Sequence, residues 1–111
     1  MIGSPNRRAI LLGAVAAAIA PRLARAHSGV VHEVKIERFR FVPDRLQVRI
    51  GDHIRWTNLD LAPHTATALD FEWDSAELAR GDRFELEVTA DIAPEYFCAY
   101  HPHMTGSIVV I

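Results

Sequence analysis

The stretch Cys98-Ala99-Tyr100-His101-Pro102-His103-Met104 places one thiol, two imidazoles and one thioether within seven positions. These are soft or borderline ligands, and together they suit copper better than calcium, magnesium or manganese. Two histidines and one cysteine in a plane, with a weak axial methionine, form the ligand set of a mononuclear electron-transfer copper centre. The stretch supplies three such ligands, so the remaining histidine must come from elsewhere. The alternative interpretation is a surface loop with chance histidines beside a buried, inert cysteine.

The first 26 residues have the pattern of a secretory signal peptide. Arg7 and Arg8 precede the 12-residue apolar run Ala9–Ala20, and a small-residue Ala-x-Ala pattern ends at Ala26. The run is too short to span a bilayer, which takes about 20 residues. The paired arginines favour twin-arginine export, although the general secretory route stays open. We predict cleavage after Ala26 and a mature periplasmic domain over residues 27–111, with no stable membrane insertion.

The charge balance and the cysteine count restrict the possible partners and the role of the cysteine. The chain has 12 basic and 14 acidic residues, and four of the basic ones lie in the predicted signal peptide. The mature domain therefore has a formal charge of −6, which argues against nucleic acid or an anionic membrane as partner. Cys98 is the only cysteine. In an oxidising compartment it has no partner within its own chain, and metal ligation would protect it.

The mature domain has the pattern of short strands separated by turns. Leu46–Ile50 alternates apolar and polar residues, as a strand with one buried face does. Residues 71–78 are less regular, and we expect a helical turn there. The other predicted strands are Val30–Ile36, Phe39–Phe41, His53–Asn58, a short one ending at Leu69, Arg83–Val88, Glu95–Cys98 and Ser107–Ile111. This spacing predicts an all-β, small antiparallel sandwich, in which Gly106 gives the loop between the last two strands room to turn.

His64 is the best candidate for the fourth ligand, because it ends a predicted loop and Pro63 stiffens the backbone before it. Three further segments accompany it: Phe39-x-Phe41-x-Pro43, Gly51-Asp52-His53-Ile54-Arg55-Trp56-x-Asn58 and Asp74-Ser75-x-x-Leu78-x-x-Gly81. With these and the Cys-x-x-His-x-x-Met spacing, the sequence resembles the cupredoxins, the small blue-copper proteins. It looks closest to their amicyanin and pseudoazurin-like branch. The resemblance covers most of the mature chain.

That resemblance implies a Greek-key sandwich with one copper ion at one end. Carried over residue by residue, the ligands are His64, Cys98, His101 and Met104. It also implies a single-electron carrier. Among the alternatives, a copper chaperone or storage protein usually has exposed, labile methionine and histidine sites. An enzyme needs an open coordination position, which four protein ligands do not leave.

Two residues near the ligands have predicted supporting roles. Asn58 matches a family asparagine that braces the loop beside the cysteine, and its alternative role is that of an ordinary turn residue. Tyr100 stands where relatives often carry proline, so it has a backbone N–H that proline lacks. We predict that this N–H donates a hydrogen bond to the sulfur of Cys98 and raises the reduction potential.

The other histidines are expected to lie outside the copper site. His103 is the one rival of His101, but it adjoins Met104, a poor spacing for two ligands of one ion; we expect it to face solvent or a partner. His32 and His53 are predicted to be solvated. His27 would become the mature N-terminus, where its amine and imidazole could chelate a second copper, and the alternative is a disordered terminal residue.

Redox partner proteins are expected to dock transiently on an apolar surface around His101. The residues predicted to form that surface are Leu61, Pro63, Pro102 and Met104. We expect the protein to be a monomer.

Overall fold

The computed structural model describes residues 29–111, which form eight β-strands in two four-stranded sheets. The strands are β1 (Val31–Glu37), β2 (Arg40–Val42), β3 (Arg45–Val48), β4 (His53–Asn58), β5 (Thr67–Ala68), β6 (Arg83–Glu87), β7 (Glu95–Phe97) and β8 (Thr105–Val110). The strand orders are β2-β1-β4-β6 and β3-β8-β7-β5. The described part contains no helix, so the predicted all-β sandwich is confirmed. The predicted signal peptide and His27 lie outside the described residues.

Most strand pairs are antiparallel, as predicted, but each sheet also contains one parallel pair. β1 pairs with β4 in parallel, and β3 pairs with β8 in parallel, while the remaining pairs are antiparallel. Both parallel pairs join strands that are not consecutive in the chain. An alternating sequence pattern shows which face of a strand is buried, but it carries no information about the direction of a distant partner.

The segment 71–78 is irregular but contains no helical turn. Phe71 and Ala76 have φ angles of 62° and 63°, outside the right-handed helical region. At its end, Leu78 forms a two-way backbone bridge with His64, with N···O distances of 2.8 and 3.1 Å. The segment therefore anchors His64 instead of forming a helix. No helix within residues 29–111 is long and apolar enough to cross a membrane.

The core lies between the sheets and is rich in aromatic side chains. Trp56 on β4 is fully buried and packs against Tyr96 on β7, with ring centroids 5.4 Å apart and nearly perpendicular planes. Burial raises the pKa of Tyr96 to about 12. Gly106, expected to let a loop turn, lies inside β8, where a Cβ would overlap the ring of Tyr96. Its small size serves packing in the core.

Candidate metal centre

Three predicted ligands converge at one end of the sandwich. The Cys98 sulfur lies 3.7 Å from Nδ1 of His64 and 3.6 Å from Nδ1 of His101, and the two nitrogens are 3.2 Å apart. His64 and Cys98 are fully buried, whereas His101 is partly exposed. Within residues 29–111, this is the one group of three histidine, cysteine or acidic residues whose ligand atoms all lie within 4.8 Å of one another.

These distances match a trigonal metal site. A metal ion binds an imidazole nitrogen at about 2.0 Å and a thiolate at about 2.3 Å. With angles near 120° between these bonds, the two nitrogens are expected about 3.5 Å apart and each nitrogen about 3.7 Å from the sulfur. The observed separations are 3.2 Å and 3.6 to 3.7 Å. Two imidazoles and one thiolate are a donor set typical of mononuclear copper. The site therefore fits one copper ion.

Backbone hydrogen bonds fold the ligand loop tightly on itself. The Cys98 N–H donates to the Met104 carbonyl at 3.1 Å, the His101 N–H to the Cys98 carbonyl at 3.2 Å, and the Met104 N–H to the His101 carbonyl at 2.9 Å. Met104 is only 2% exposed, so it cannot belong to a docking surface, contrary to expectation. Its burial on the same loop is compatible with an axial ligand, which stays a prediction.

Asn58 braces the loop that carries His64. Its side-chain nitrogen donates to the carbonyl oxygens of Ala62 at 2.9 Å and Leu78 at 2.8 Å, and its side-chain oxygen accepts from the Asp60 N–H at 2.9 Å. Asn58 ends β4 directly before the loop to His64, and Nδ1 of His64 lies 3.7 Å from the Cys98 sulfur, so the braced loop lies beside the cysteine.

A hydrogen bond to the ligand sulfur comes from Thr65, a donor that the sequence did not reveal, and donation by the Tyr100 N–H stays a prediction. The Thr65 N–H lies 3.4 Å from the Cys98 sulfur, and the Thr65 hydroxyl accepts from the Ala99 N–H at 2.8 Å. Tyr100 uses its hydroxyl to donate to Glu77 at 2.9 Å, which raises the pKa of Tyr100. Thr65 follows a ligand directly, so the chain that delivers His64 also delivers an N–H to the sulfur.

A short hydroxyl relay continues from Thr65 to the surface. The hydroxyl oxygens of Thr65 and Thr67 are 2.9 Å apart, and the Thr67 hydroxyl donates to Asp74 at 2.9 Å. Both threonines are buried. The relay satisfies their hydroxyl groups and links the ligand loop to the 71–78 segment.

Asp60 was not identified from the sequence, yet it contacts a ligand directly. One oxygen lies 2.8 Å from Nε2 of His64 and 3.0 Å from the Phe39 nitrogen, while the other accepts from the Arg38 N–H at 2.8 Å. Partial burial raises the pKa of Asp60, but these donors outweigh it and the pKa is lowered overall. An ionised carboxylate only accepts, so His64 donates from Nε2 and keeps Nδ1 free to bind a metal.

The remaining described histidines lie apart from this cluster. His103 is exposed, and the structure brings His101 to the cysteine instead. His53 is partly exposed and lies 3.2 Å from Glu85. His32 is not simply solvated, because its Nε2 lies 2.8 Å from the largely buried carboxylate of Asp52.

Comparison with known proteins identifies the family. The profile of the cupredoxin-like domain matches residues 9–110. The chain belongs to this family. It is 26% identical over 83 residues to amicyanin-alpha of Methylorubrum extorquens, with 70% of each chain covered. A purple cupredoxin from Nitrosopumilus maritimus superimposes with a TM-score of 0.65 at 26% identity, covering 72% of this chain and 99% of that one.

A larger enzyme contains the same kind of domain. The copper-containing nitrite reductase from Thermus scotoductus superimposes with a TM-score of 0.63 at 25% identity over 72% of this chain. The match covers only 22% of the reductase.

The predicted resemblance to cupredoxins near the amicyanin branch is confirmed by the family profile and by the amicyanin relative.

Proposed function

We propose that this cupredoxin carries single electrons between redox partner proteins by means of one copper ion. The observation that carries the proposal is the convergence of His64, Cys98 and His101 at the distances of a trigonal site. Met104 is the proposed weak axial ligand. Bound copper would supply one-electron chemistry by alternating between Cu(I) and Cu(II).

The surroundings of the ligands favour fast electron transfer. Asp60 orients His64, Thr65 donates to the Cys98 sulfur, and the loop hydrogen bonds hold His101 in place. Groups held in this way before the metal binds move little when its charge changes. A small rearrangement keeps the energy barrier of electron transfer low.

The electron is proposed to enter and leave near His101, the ligand with the most solvent exposure. Leu61 is 81% exposed, and Pro63 and Pro102 are exposed as well. We propose that partner proteins dock transiently on this apolar surface and that the protein itself is monomeric. His103 lies on the same loop, where it would contact the partner without binding copper.

An electron carrier fits the site better than the alternatives do. A copper chaperone must hand its ion to a partner, which calls for accessible ligands, whereas His64 and Cys98 are fully buried. We propose no enzymatic activity, since four ligands leave no open coordination position. Periplasmic location is proposed from the signal-peptide pattern alone. Sequencing the N-terminus of the exported protein tests it, with His27 expected as the first residue.

The copper assignment is tested by the visible spectrum of the oxidised protein. Cys98→Ser should abolish the intense band, because that band needs a thiolate bound to copper. His103→Phe is the control and should leave the band unchanged while altering the rate of reaction with a redox partner. Full colour in Cys98→Ser would show that the cysteine was wrongly assigned as a ligand. A band that is lost in His103→Phe but kept in His101→Ala would show that the wrong histidine was assigned. Reversible one-electron voltammetry of the wild-type protein supports the carrier role, and rapid copper loss to a weak chelator would contradict it.

A further inference from the structure

The turn between β1 and β2 has an unusual backbone conformation. Arg38 and Phe39, its two central residues, have φ angles of 56° and 58°. Turns with positive φ at both positions normally use asparagine, aspartate or glycine, because a larger side chain crowds the backbone there. An arginine followed by a phenylalanine is therefore a strained choice. Strained backbone persists where surrounding contacts impose it, and it is often found at functional sites.

Asp60 supplies the contacts that hold this turn. Its carboxylate accepts the backbone N–H groups of both Arg38 and Phe39, at 2.8 and 3.0 Å. The oxygen that binds Phe39 also lies 2.8 Å from Nε2 of His64. One carboxylate therefore ties the strained turn to a copper ligand.

The side chain of Phe39 lies against both ligand imidazoles. Its ring centroid is 4.9 Å from that of His64 and 4.8 Å from that of His101, with interplanar angles of 89° and 83°. This edge-to-face arrangement is favourable for aromatic rings. Phe39 is itself 42% exposed, so the residue lies between the ligands and the solvent.

We propose that Phe39 is a cap over the copper ligands and that Asp60 holds it in place. The proposal rests on the copper site described above. By keeping water from the two imidazoles, the cap slows exchange of the metal. It also raises the reduction potential, because water stabilises the more highly charged Cu(II) state and its exclusion favours Cu(I).

The chain offers a matched control in Phe71. This residue also has a positive φ, of 62°, and is 68% exposed, but its ring packs against Phe97 at 6.2 Å and contacts no ligand. Phe39→Gly and Phe71→Gly each remove one exposed phenylalanine and relieve one left-handed conformation. We expect Phe39→Gly to lose copper to a chelator about tenfold faster than the wild-type protein and to have a lower reduction potential. Phe71→Gly should change neither property.

This comparison separates a cap from a merely structural role. Glycine suits a positive φ, which offsets part of the lost ring packing, so both variants should lower the Tm of the copper-free protein by similar, small amounts. Faster copper loss in Phe39→Gly alone, at a similar Tm of the two variants, supports the cap. Equal copper loss and equal potentials in the two glycine variants overturn it. Asparagine also suits a positive φ and removes the apolar ring, so the same comparison with Phe39→Asn decides if the glycine variant does not fold.

The role of Asp60 is tested without copper. In the copper-free protein, nuclear Overhauser contacts should join the Phe39 ring to the rings of His64 and His101. Asp60→Ala should abolish them, whereas Asp70→Ala, which removes a carboxylate bound to the Glu72 N–H in another turn, should keep them. Contacts that survive Asp60→Ala refute the holding role. If the wild-type protein showed no copper band, the proposed function would fail. The nuclear Overhauser contacts of the copper-free protein would still show whether Phe39 lies against His64 and His101.

Discussion

Asn58→Asp replaces a buried side chain by one of the same shape and should nevertheless destabilise the protein strongly. The amide nitrogen of Asn58 donates two hydrogen bonds, to the carbonyls of Ala62 and Leu78, and the residue has no solvent exposure. In the variant an oxygen faces both carbonyls, so neither bond forms. Two lost hydrogen bonds cost at least about 2 kcal/mol. In a domain of this size that lowers Tm by about 8 to 16 °C.

The new carboxyl should also make stability depend on pH in a defined direction. Burial beside two carbonyl acceptors disfavours its charged form, so the pKa of the new aspartate is raised above its unfolded value. A folded state that binds more protons than the unfolded state loses stability as pH rises. The deficit relative to wild type should therefore shrink on acidification, as the protonated carboxyl donates one of the two bonds again.

Urea unfolding of the copper-free proteins, from pH 8 to pH 5, measures both effects. The relevant quantity is the difference in the free energy of unfolding between variant and wild type, because acid also protonates the native carboxylates of both proteins. Wild-type stability of Asn58→Asp at neutral pH would show that the two carbonyl contacts contribute little. A deficit that does not change with pH would show that water reaches the new carboxylate.

Three further predictions concern residues away from Asn58. Hydrogen bonds, above all that of His32, lower the pKa of Asp52 from 3.8 to about 2, so its contribution to stability is present above pH 4 and is lost as pH falls through 2. Asp52→Asn should therefore remove this part of the acid sensitivity in urea unfolding, and unchanged acid sensitivity would contradict the prediction. Gly106→Ala should lower stability by about 1–3 kcal/mol, because the added methyl group overlaps the Tyr96 ring; an unchanged melting temperature would mean that the ring moves aside easily. Tyr100→Pro should lower the reduction potential in voltammetry, because proline removes the backbone N–H that is predicted to donate to the Cys98 sulfur beside that of Thr65; an equal or higher potential would show that this N–H points elsewhere.

The parts of the site that could be predicted are those encoded locally. Cys98, His101 and Met104 lie on one loop of seven residues, and their spacing alone brings them close together. The strand over residues 53–58 was predicted with its correct bounds, because alternation reports a buried face directly. By contrast, the prediction of a helical turn in residues 71–78 was wrong. Left-handed residues other than glycine, such as Phe71 and Ala76, leave no mark in the pattern of apolar residues.

The sequence by itself therefore predicted the ligand chemistry, the all-β class and the buried face of strands with clean alternation such as β4, since these follow from residue type and short-range periodicity. The tertiary structure decided the parallel pairings and the partners of each ligand. The N–H of Thr65 reaches a sulfur 33 positions away, and the carboxylate of Asp60 holds a turn 21 positions before it. Such contacts depend on how loops from different strands meet at one end of the sandwich. Side-chain periodicity does not report which loops meet there, so the contacts of Thr65, Asp60 and Phe39 with the ligands could be found only in the folded molecule.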